Sequence, residues 1–352
     1  MAAHRVRAVF VHANPRGDFA GEVAAGRAPD TGLLGQNHLG ELGIDATLHD
    51  PLLSRGALAW LPFRLRWHLR ELTVPWEVGD ADLICTPLAT FLPLSARLRR
   101  RRVLVVNYGL CARFARAGAA QRALLTASLR SAASVVCFAA AQREQLVEQA
   151  GLRPERVHVA LYGVDERFYA SAPLPDDGYV LAVGRDLARD YSTFATAARG
   201  LGVRSIVVAS ERNLVGVERP SDLEVRIDVD HAELRELYAG AGCVVVPTRR
   251  EDFPFGADCS GHTVLLEAMA IARPVVVSSR STNAEYVAGE GALEVPPEDP
   301  PALRAAIERV LSDRELASRM AHAARSAVED RFTTRHLAER LAPLIEAASG
   351  RV

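Results

Sequence analysis

Short apolar runs alternate with longer stretches of helical periodicity along nearly the whole chain. In the first half the runs are residues 7–12, 46–49, 82–86, 103–107, 134–138 and 157–161. They are rich in Val, Ile and Leu and mostly lack the in–out alternation of a half-exposed strand. Continuous apolar strands separated by helices predict parallel strands covered on both faces. Helical periodicity falls on 32–42, 121–130 and 142–149.

The pattern breaks at Ala172-Pro173-Leu174-Pro175-Asp176-Asp177-Gly178. Proline and glycine at this density cannot continue a helix or a central strand, so the segment reads as an interdomain connection. The alternation then restarts, with strands expected at 179–183, 205–209, 223–227, 243–247, 274–278 and 292–295. Helices are expected at 231–239, 263–271 and 301–311, and two more close the chain, near 313–328 and 333–347. The expected architecture is α/β, with two facing Rossmann-like domains and a ligand cleft between them. Residues 1–172 form the first domain, 173–332 the second, and 333–352 a terminal helix able to pack back toward the first. In such sheets ligands bind beyond the carboxyl ends of the strands, so the loops after strands carry the interest.

Composition narrows the chemistry. The 352 residues suit two cores better than one. A hydrophobic share of 49% and a charged share of 24% are those of a globular protein. The net charge of −1 gives no reason to expect nucleic acid. All 42 basic residues are arginine, so any phosphate clamp must be built from guanidinium forks. Five scattered cysteines form no CxxC pair or Cys/His cluster, and neither a metal site nor a disulfide framework is expected. The N-terminus lacks a long apolar core and no stretch has the length of a membrane span, so a cytoplasmic location is expected.

The most informative stretch runs from Cys259 to Ser278, CSGHTVLLEAMAIARPVVVS. A loop carrying Ser260 and Gly261 opens a helix whose first turn exposes His262 and Thr263. Free amides at such a helix start favour an anion. Glu267 follows about one turn further in, where a carboxylate would repel phosphate but suits a neutral diol. A second element, Val183-Gly184-Arg185-Asp186-Leu187-Ala188-Arg189, links a strand to a helix.

Both segments resemble signatures of the retaining glycosyltransferases of family 4 (glycosyl transferases group 1), which have the GT-B fold. The resemblance implies that Glu267 binds ribose hydroxyls and that Ser260, Gly261, His262 and Thr263 face the sugar and pyrophosphate. It also implies that Arg185 and Arg189, beside Gly184, take the places of the arginine and lysine that clamp the donor diphosphate. Leu161-Tyr-Gly-Val-Asp-Glu-Arg-Phe168 is similar to the family's GVD segment, with Gly163 expected at positive φ and Asp165 in a turn. The family's second glutamate, eight residues before the first, is Cys259 here. A neutral thiol cannot replace a carboxylate acceptor, and neighbouring Asp258 is the candidate substitute.

In the first domain, Asp30 or Thr31 could cap a helix and leave Gly32 to Gly35 directed at the cleft; a plain helix cap explains them equally well. Where the family often places a histidine, this chain has Asn107 and Tyr108, candidate hydrogen-bonding groups that are not ordinary bases. His12 and His38 read as incidental. The stretch from Trp60 to Arg70 reads as a core helix with exposed arginines in preference to a membrane-surface helix, and residues 99–102 as a solvated turn.

The implied activity is a hexosyltransferase-like transfer with retention. Its donor is a nucleotide-sugar, and its acceptor an unidentified small molecule, glycan or lipid-linked molecule. No metal, cofactor or nucleic acid is expected. Two alternatives stand beside it: a non-catalytic GT-B paralogue that binds a nucleotide or partner, and a sugar-nucleotide epimerase, for which the acid/base residues are missing.

Overall fold

The computed structural model describes residues 5–54, 62–287 and 289–350. Contacts divide the chain into two compact units, each a Rossmann-like α/β layer structure. The first comprises residues 1–25, 32–161 and 335–352; the second comprises 26–31 and 162–334.

In the first unit the elements run β1 (Val6–Phe10), α1 (Gly17–Ala24), β2 (Ile44–Leu48), α2 (Phe63–Glu77), β3 (Leu83–Thr86) and α3 (Leu92–Leu98). They continue with β4 (Arg102–Val106), α4 (Leu110–Arg116), α5 (Ala119–Ser131), β5 (Ser134–Cys137), α6 (Ala140–Ala150) and β6 (Val157–Val159). The six strands form one parallel sheet in the order β2-β1-β3-β4-β5-β6. Val9, Ile84, Val105 and Val135 on the strands pack with Leu92, Phe114, Leu125 and Leu146 on the helices, which is why the central strands are apolar without alternation.

The second unit holds β7 (Tyr179–Val183), α7 (Tyr191–Ala198), β8 (Ser205–Ala209), β9 (Leu223–Ile227), α8 (His231–Ala239) and β10 (Ala241–Val246). After these come α9 (His262–Ala270), β11 (Val275–Ser278), α10 (Ala284–Val287), β12 (Ala292–Val295), α11 (Pro300–Ser312) and α12 (Arg314–Arg331). Its parallel sheet has the order β12-β11-β10-β7-β8-β9. The last helix, α13 (Thr334–Ser349), supplies residues 335–349 to the first unit.

Two local expectations are corrected. Residues 32–42 do not make one α-helix. Left-handed Leu34 and Gly35, at φ 56° and 72°, split the segment into two short 3-10 turns. Gly163 has no positive φ; a side chain there would collide with the Thr333 carbonyl, so close backbone approach is what demands glycine. The proline-rich segment 172–178 is tied down by arginines. Arg273 Nη2 donates to the carbonyls of Ala172 (2.6 Å) and Pro173 (2.8 Å), and Arg314 Nη2 to that of Leu174 (2.9 Å), all within the second unit.

Candidate functional site

In the second sheet β8 and β9 extend to one side of β7, and the chain then returns so that β10 pairs with the other side. The topological switch point therefore lies between β7 and β10, where the loops leaving two neighbouring strands must diverge. That is where open parallel sheets bind ligands. Here the loops are 184–190 after β7 and 247–261 after β10, the two segments that carry the arginine and glycine motifs.

Several bonds knit these loops together. Arg189 and Thr248 form an antiparallel bridge. Asp190 N donates to the Pro247 carbonyl (3.0 Å), and Arg249 N to that of Ala188 (2.8 Å). Asp186 accepts from its own loop at Ala188 N (2.9 Å) and from the other at Ala257 N (3.0 Å). Asp190 caps α7, its carboxylate accepting from Thr193 N (3.1 Å) while Arg249 Nη1 lies 3.2 Å away.

Arg189 occupies the middle of this arrangement and is 5% exposed. Gly184 has φ +145°, and a side chain on it would collide with Arg189 Nε. Gly261 has φ +105°, and a Cβ there would stand 3.0 Å from Arg189 Nη1 and 2.8 Å from Val246 Cγ1. Two glycines on different loops thus make room for one guanidinium. Its Nε and Nη1 are buried without a hydrogen-bond partner, as are Thr248 Oγ1 and Ser260 Oγ on either side of Gly261. Buried polar atoms are nearly always satisfied, so a cluster of orphans around one glycine calls for an explanation other than folding.

Gly261 is the N-cap of α9, and Leu265 N donates to its carbonyl (2.9 Å). Of the residues after it, Thr263 is exposed, whereas His262 is buried with its ring 4.3 Å from that of Tyr286. Burial holds the His262 pKa down to about 3, so the imidazole is neutral. Asp258 is buried, and its backbone carbonyl accepts from Arg280 Nη2 (3.3 Å).

Glu267 lies on α9 with both oxygens engaged. Tyr169 Oη donates to Oε1 (3.0 Å) and Tyr238 Oη to Oε2 (2.8 Å). Burial pushes its pKa up to about 7, against the lowering effect of the two tyrosines and of the Arg189 charge. A carboxylate has about four lone-pair sites, so two remain for a diol. The tyrosines were missed in the sequence because they come from just after the GVD segment and from α8, with no spacing that ties them to residue 267.

Arg185 differs sharply from Arg189. Its side chain is 54% exposed and pairs with exposed Asp228 at 3.3 Å. The motif placed the two arginines side by side, whereas the fold buries one and leaves the other on the surface.

In the first unit, Asn107 is fully buried. Its Oδ1 accepts from Leu110 N (2.8 Å) at the start of α4, and its amide faces the thiols of Cys111 and Cys137. A ligand-binding role for Asn107 is therefore replaced by a helix-starting one. Tyr108 packs its ring 5.2 Å from that of Phe138. Gly32 lies against Phe19, whose ring a Cβ would approach to 2.8 Å, and Gly35 supplies a left-handed turn. Asp30 and Thr31 tie the chain instead of capping a helix: Asp165 Oδ2 accepts from Asp30 N (2.9 Å), and Thr31 Oγ1 from Asp165 N (3.0 Å). Among the described residues no group of three His, Cys, Asp or Glu side chains could hold a metal ion.

The two parallel six-stranded sheets with flanking helices match GT-B glycosyltransferase structures. Residues 199–313 match the family model for glycosyl transferases group 1. That segment contains Thr248, Ser260, Gly261 and Glu267, while Gly184 and Arg189 precede it. A curated relative, the alpha-D-kanosaminyltransferase of Streptomyces kanamyceticus, is 28% identical over 225 residues, which is 55% of this chain and 55% of that protein. The chain thus spans about half the length of the curated relative it matches. Among solved structures, sucrose-phosphate synthase from Thermosynechococcus elongatus superposes with a TM-score of 0.73 at 17% identity, covering 99% of this chain and 100% of that one. Anabaena HepE in complex with UDP-glucose gives 0.69 at 15% identity, covering 97% and 100%.

Proposed function

We propose that this chain transfers a glycosyl group from a nucleoside-diphosphate sugar to an acceptor, with the donor diphosphate held at the β7/β10 switch point of the second unit. The observation that carries the reading is the buried Arg189 guanidinium between Gly184 and Gly261, with unpaired N–H groups and two unpaired hydroxyls beside it. The group 1 match and the UDP-glucose complex of a structural neighbour support it.

In this reading the bond from the anomeric carbon to the β-phosphate oxygen breaks, and that oxygen takes up the electron pair. Arg189 and the start of α9 lower the cost of the charge that develops there. The proposal gives this task to the guanidinium, without a metal or a cofactor. Glu267 uses its remaining lone pairs for the ribose hydroxyls. Retention follows if the acceptor attacks from the face the phosphate leaves, with a phosphate oxygen receiving the acceptor proton.

Cys259 at the position of the family's second glutamate favours a second reading, a nucleotide-binding relative without transferase activity. One experiment separates the two. Calorimetry with UDP, GDP and dTDP is expected to give micromolar-range binding to one of them, and the corresponding nucleotide-sugars are expected to be slowly hydrolysed. Binding without hydrolysis or transfer supports the second reading, and absence of both refutes the site.

A further inference from the structure

The stretch from Trp60 to Arg70, of which Trp60 and Leu61 lie outside the described residues, was expected to turn its arginines to solvent, and at Arg70 it does not. Arg70 is buried and donates through Nη1 to the Ala13 carbonyl (3.2 Å), while Leu65, Leu72 and Trp76 are exposed by 43–51%. Positions i, i+7 and i+11 fall on one face of a helix, so these three side chains form a stripe along α2. Next to its C-terminal turn the apolar surface continues. Leu98, at the end of α3, is 78% exposed, and the following Arg99 lies over the Trp76 ring at 5.8 Å. Leu52 is 62% exposed, and its backbone N donates to Glu77 (3.0 Å). Large aliphatic and indole side chains gathered in this way mark a surface that meets something apolar.

Charge indicates the occupant. The acidic residues of α2 are turned inward: Glu71 is wholly buried and accepts from Leu92 N (3.1 Å), and Glu77 is tied to His49 (2.9 Å) and Leu52. Asp80, just beyond the helix, is the exposed acid nearby. Against it stand exposed Arg97, Arg99 and Arg100 around Leu98. The imbalance extends to the whole unit. The first unit carries 22 arginines and 14 carboxylates, a net +8, and the second 20 and 29, a net −9, although the chain as a whole is almost neutral. A leucine stripe with tryptophan at its end, edged by arginines whose stems can lie along apolar surface, has the chemistry of an interfacial helix.

We infer that the α2 face of the first unit docks onto the surface of an anionic lipid bilayer. Leu65, Leu72, Trp76 and Leu98 enter the headgroup boundary, and Arg97, Arg99 and Arg100 meet lipid phosphates. No helix among the described residues is long and apolar enough to cross a membrane, so the contact is peripheral.

Vesicle flotation with the full chain tests this. Binding to phosphatidylcholine vesicles containing 30% phosphatidylglycerol is expected to exceed that to pure phosphatidylcholine by at least tenfold at 0.1 M salt, and to fall at 0.5 M. Leu65→Gln/Leu72→Gln/Trp76→Gln is expected to remove the binding. Arg97→Gln/Arg99→Gln/Arg100→Gln should flatten its salt dependence. Unchanged circular dichroism and melting temperature in both variants show that the fold survives. Failure to float with either vesicle, or equal and salt-insensitive binding to both, overturns the inference. So does a concentration-dependent dimer in light scattering that the triple glutamine variant abolishes, because the stripe would then be covered by a second copy. Nucleotide binding in the second unit is read separately and is expected to be the same in all variants.

Discussion

Replacing Arg189 by methionine should make the ligand-free protein more stable and the nucleotide-bound protein less so. Two buried N–H groups of Arg189, Nε and Nη1, have no acceptor. An unsatisfied buried donor costs roughly 1–3 kcal/mol. Methionine has similar reach, no polar atoms and the adaptability to fill the slot between Gly184 and Gly261. Against the gain stands the loss of a positive charge that favours ionised Glu267, a loss limited near neutrality because Glu267 can take up a proton at about pH 7. The net gain should be about 1–3 kcal/mol. For a domain of this size, each kcal/mol raises the melting temperature by about 2–4 °C.

Ligand binding then moves the other way. A nucleoside diphosphate at a hundred times its Kd stabilises the wild type by about 2.7 kcal/mol. Losing charge-assisted hydrogen bonds of roughly 1.5–3 kcal/mol should weaken binding about tenfold to a hundredfold. Differential scanning calorimetry with and without the diphosphate should show the order of the two proteins inverting. A variant that melts lower without ligand, yet binds with unchanged affinity, would mean that Arg189 is a structural tie. The proposed site would then be wrong.

Two further outcomes are expected. Because the fold raises the Glu267 pKa from 4.5 to about 7, the native state holds the proton more tightly than the unfolded chain, and this residue's contribution to stability is greatest at acid pH and is lost as pH rises through that window. Urea titrations should show the Glu267→Gln variant gaining on the wild type by up to about 3 kcal/mol between pH 4.5 and 8; a constant difference would refute the assignment. Arg185→Ala, which removes an exposed side chain paired with exposed Asp228, should leave the melting temperature within about 1 °C. If Arg185 clamps the diphosphate, as the motif resemblance implies, calorimetry should show binding weakened by roughly 1.5–3 kcal/mol; unchanged affinity removes it from the site.

The strands were legible because a parallel sheet covered on both faces needs uninterrupted apolar runs, and each of the twelve stands where its run predicted, within about two residues at its ends. Residues 32–42 were not, because left-handed Leu34 breaks a helix that its own periodicity favours. Asn107 was misread for a related reason. At a strand end it has the same address as a ligand-binding residue, and only the position of the Leu110 amide shows that its oxygen is already engaged.

The two arginines show where local sequence stops carrying information. Arg185 and Arg189 share one loop, and spacing alone gives both the same claim on a phosphate. What separates them is long-range: Gly261 and Val246 arrive from the β10 side of the switch point and enclose Arg189, while Asp228 beyond β9 draws Arg185 outward. Glu267 is governed by burial before any effect of the Arg189 charge, and its tyrosine partners come from two other segments. The buried Arg189 guanidinium keeps two N–H groups without an acceptor, while the buried Glu267 carboxyl is held by two tyrosines and not by that guanidinium. In the proposed function a diphosphate would meet those N–H groups and a diol the remaining lone pairs of the carboxyl, which is the combination a nucleotide-sugar presents.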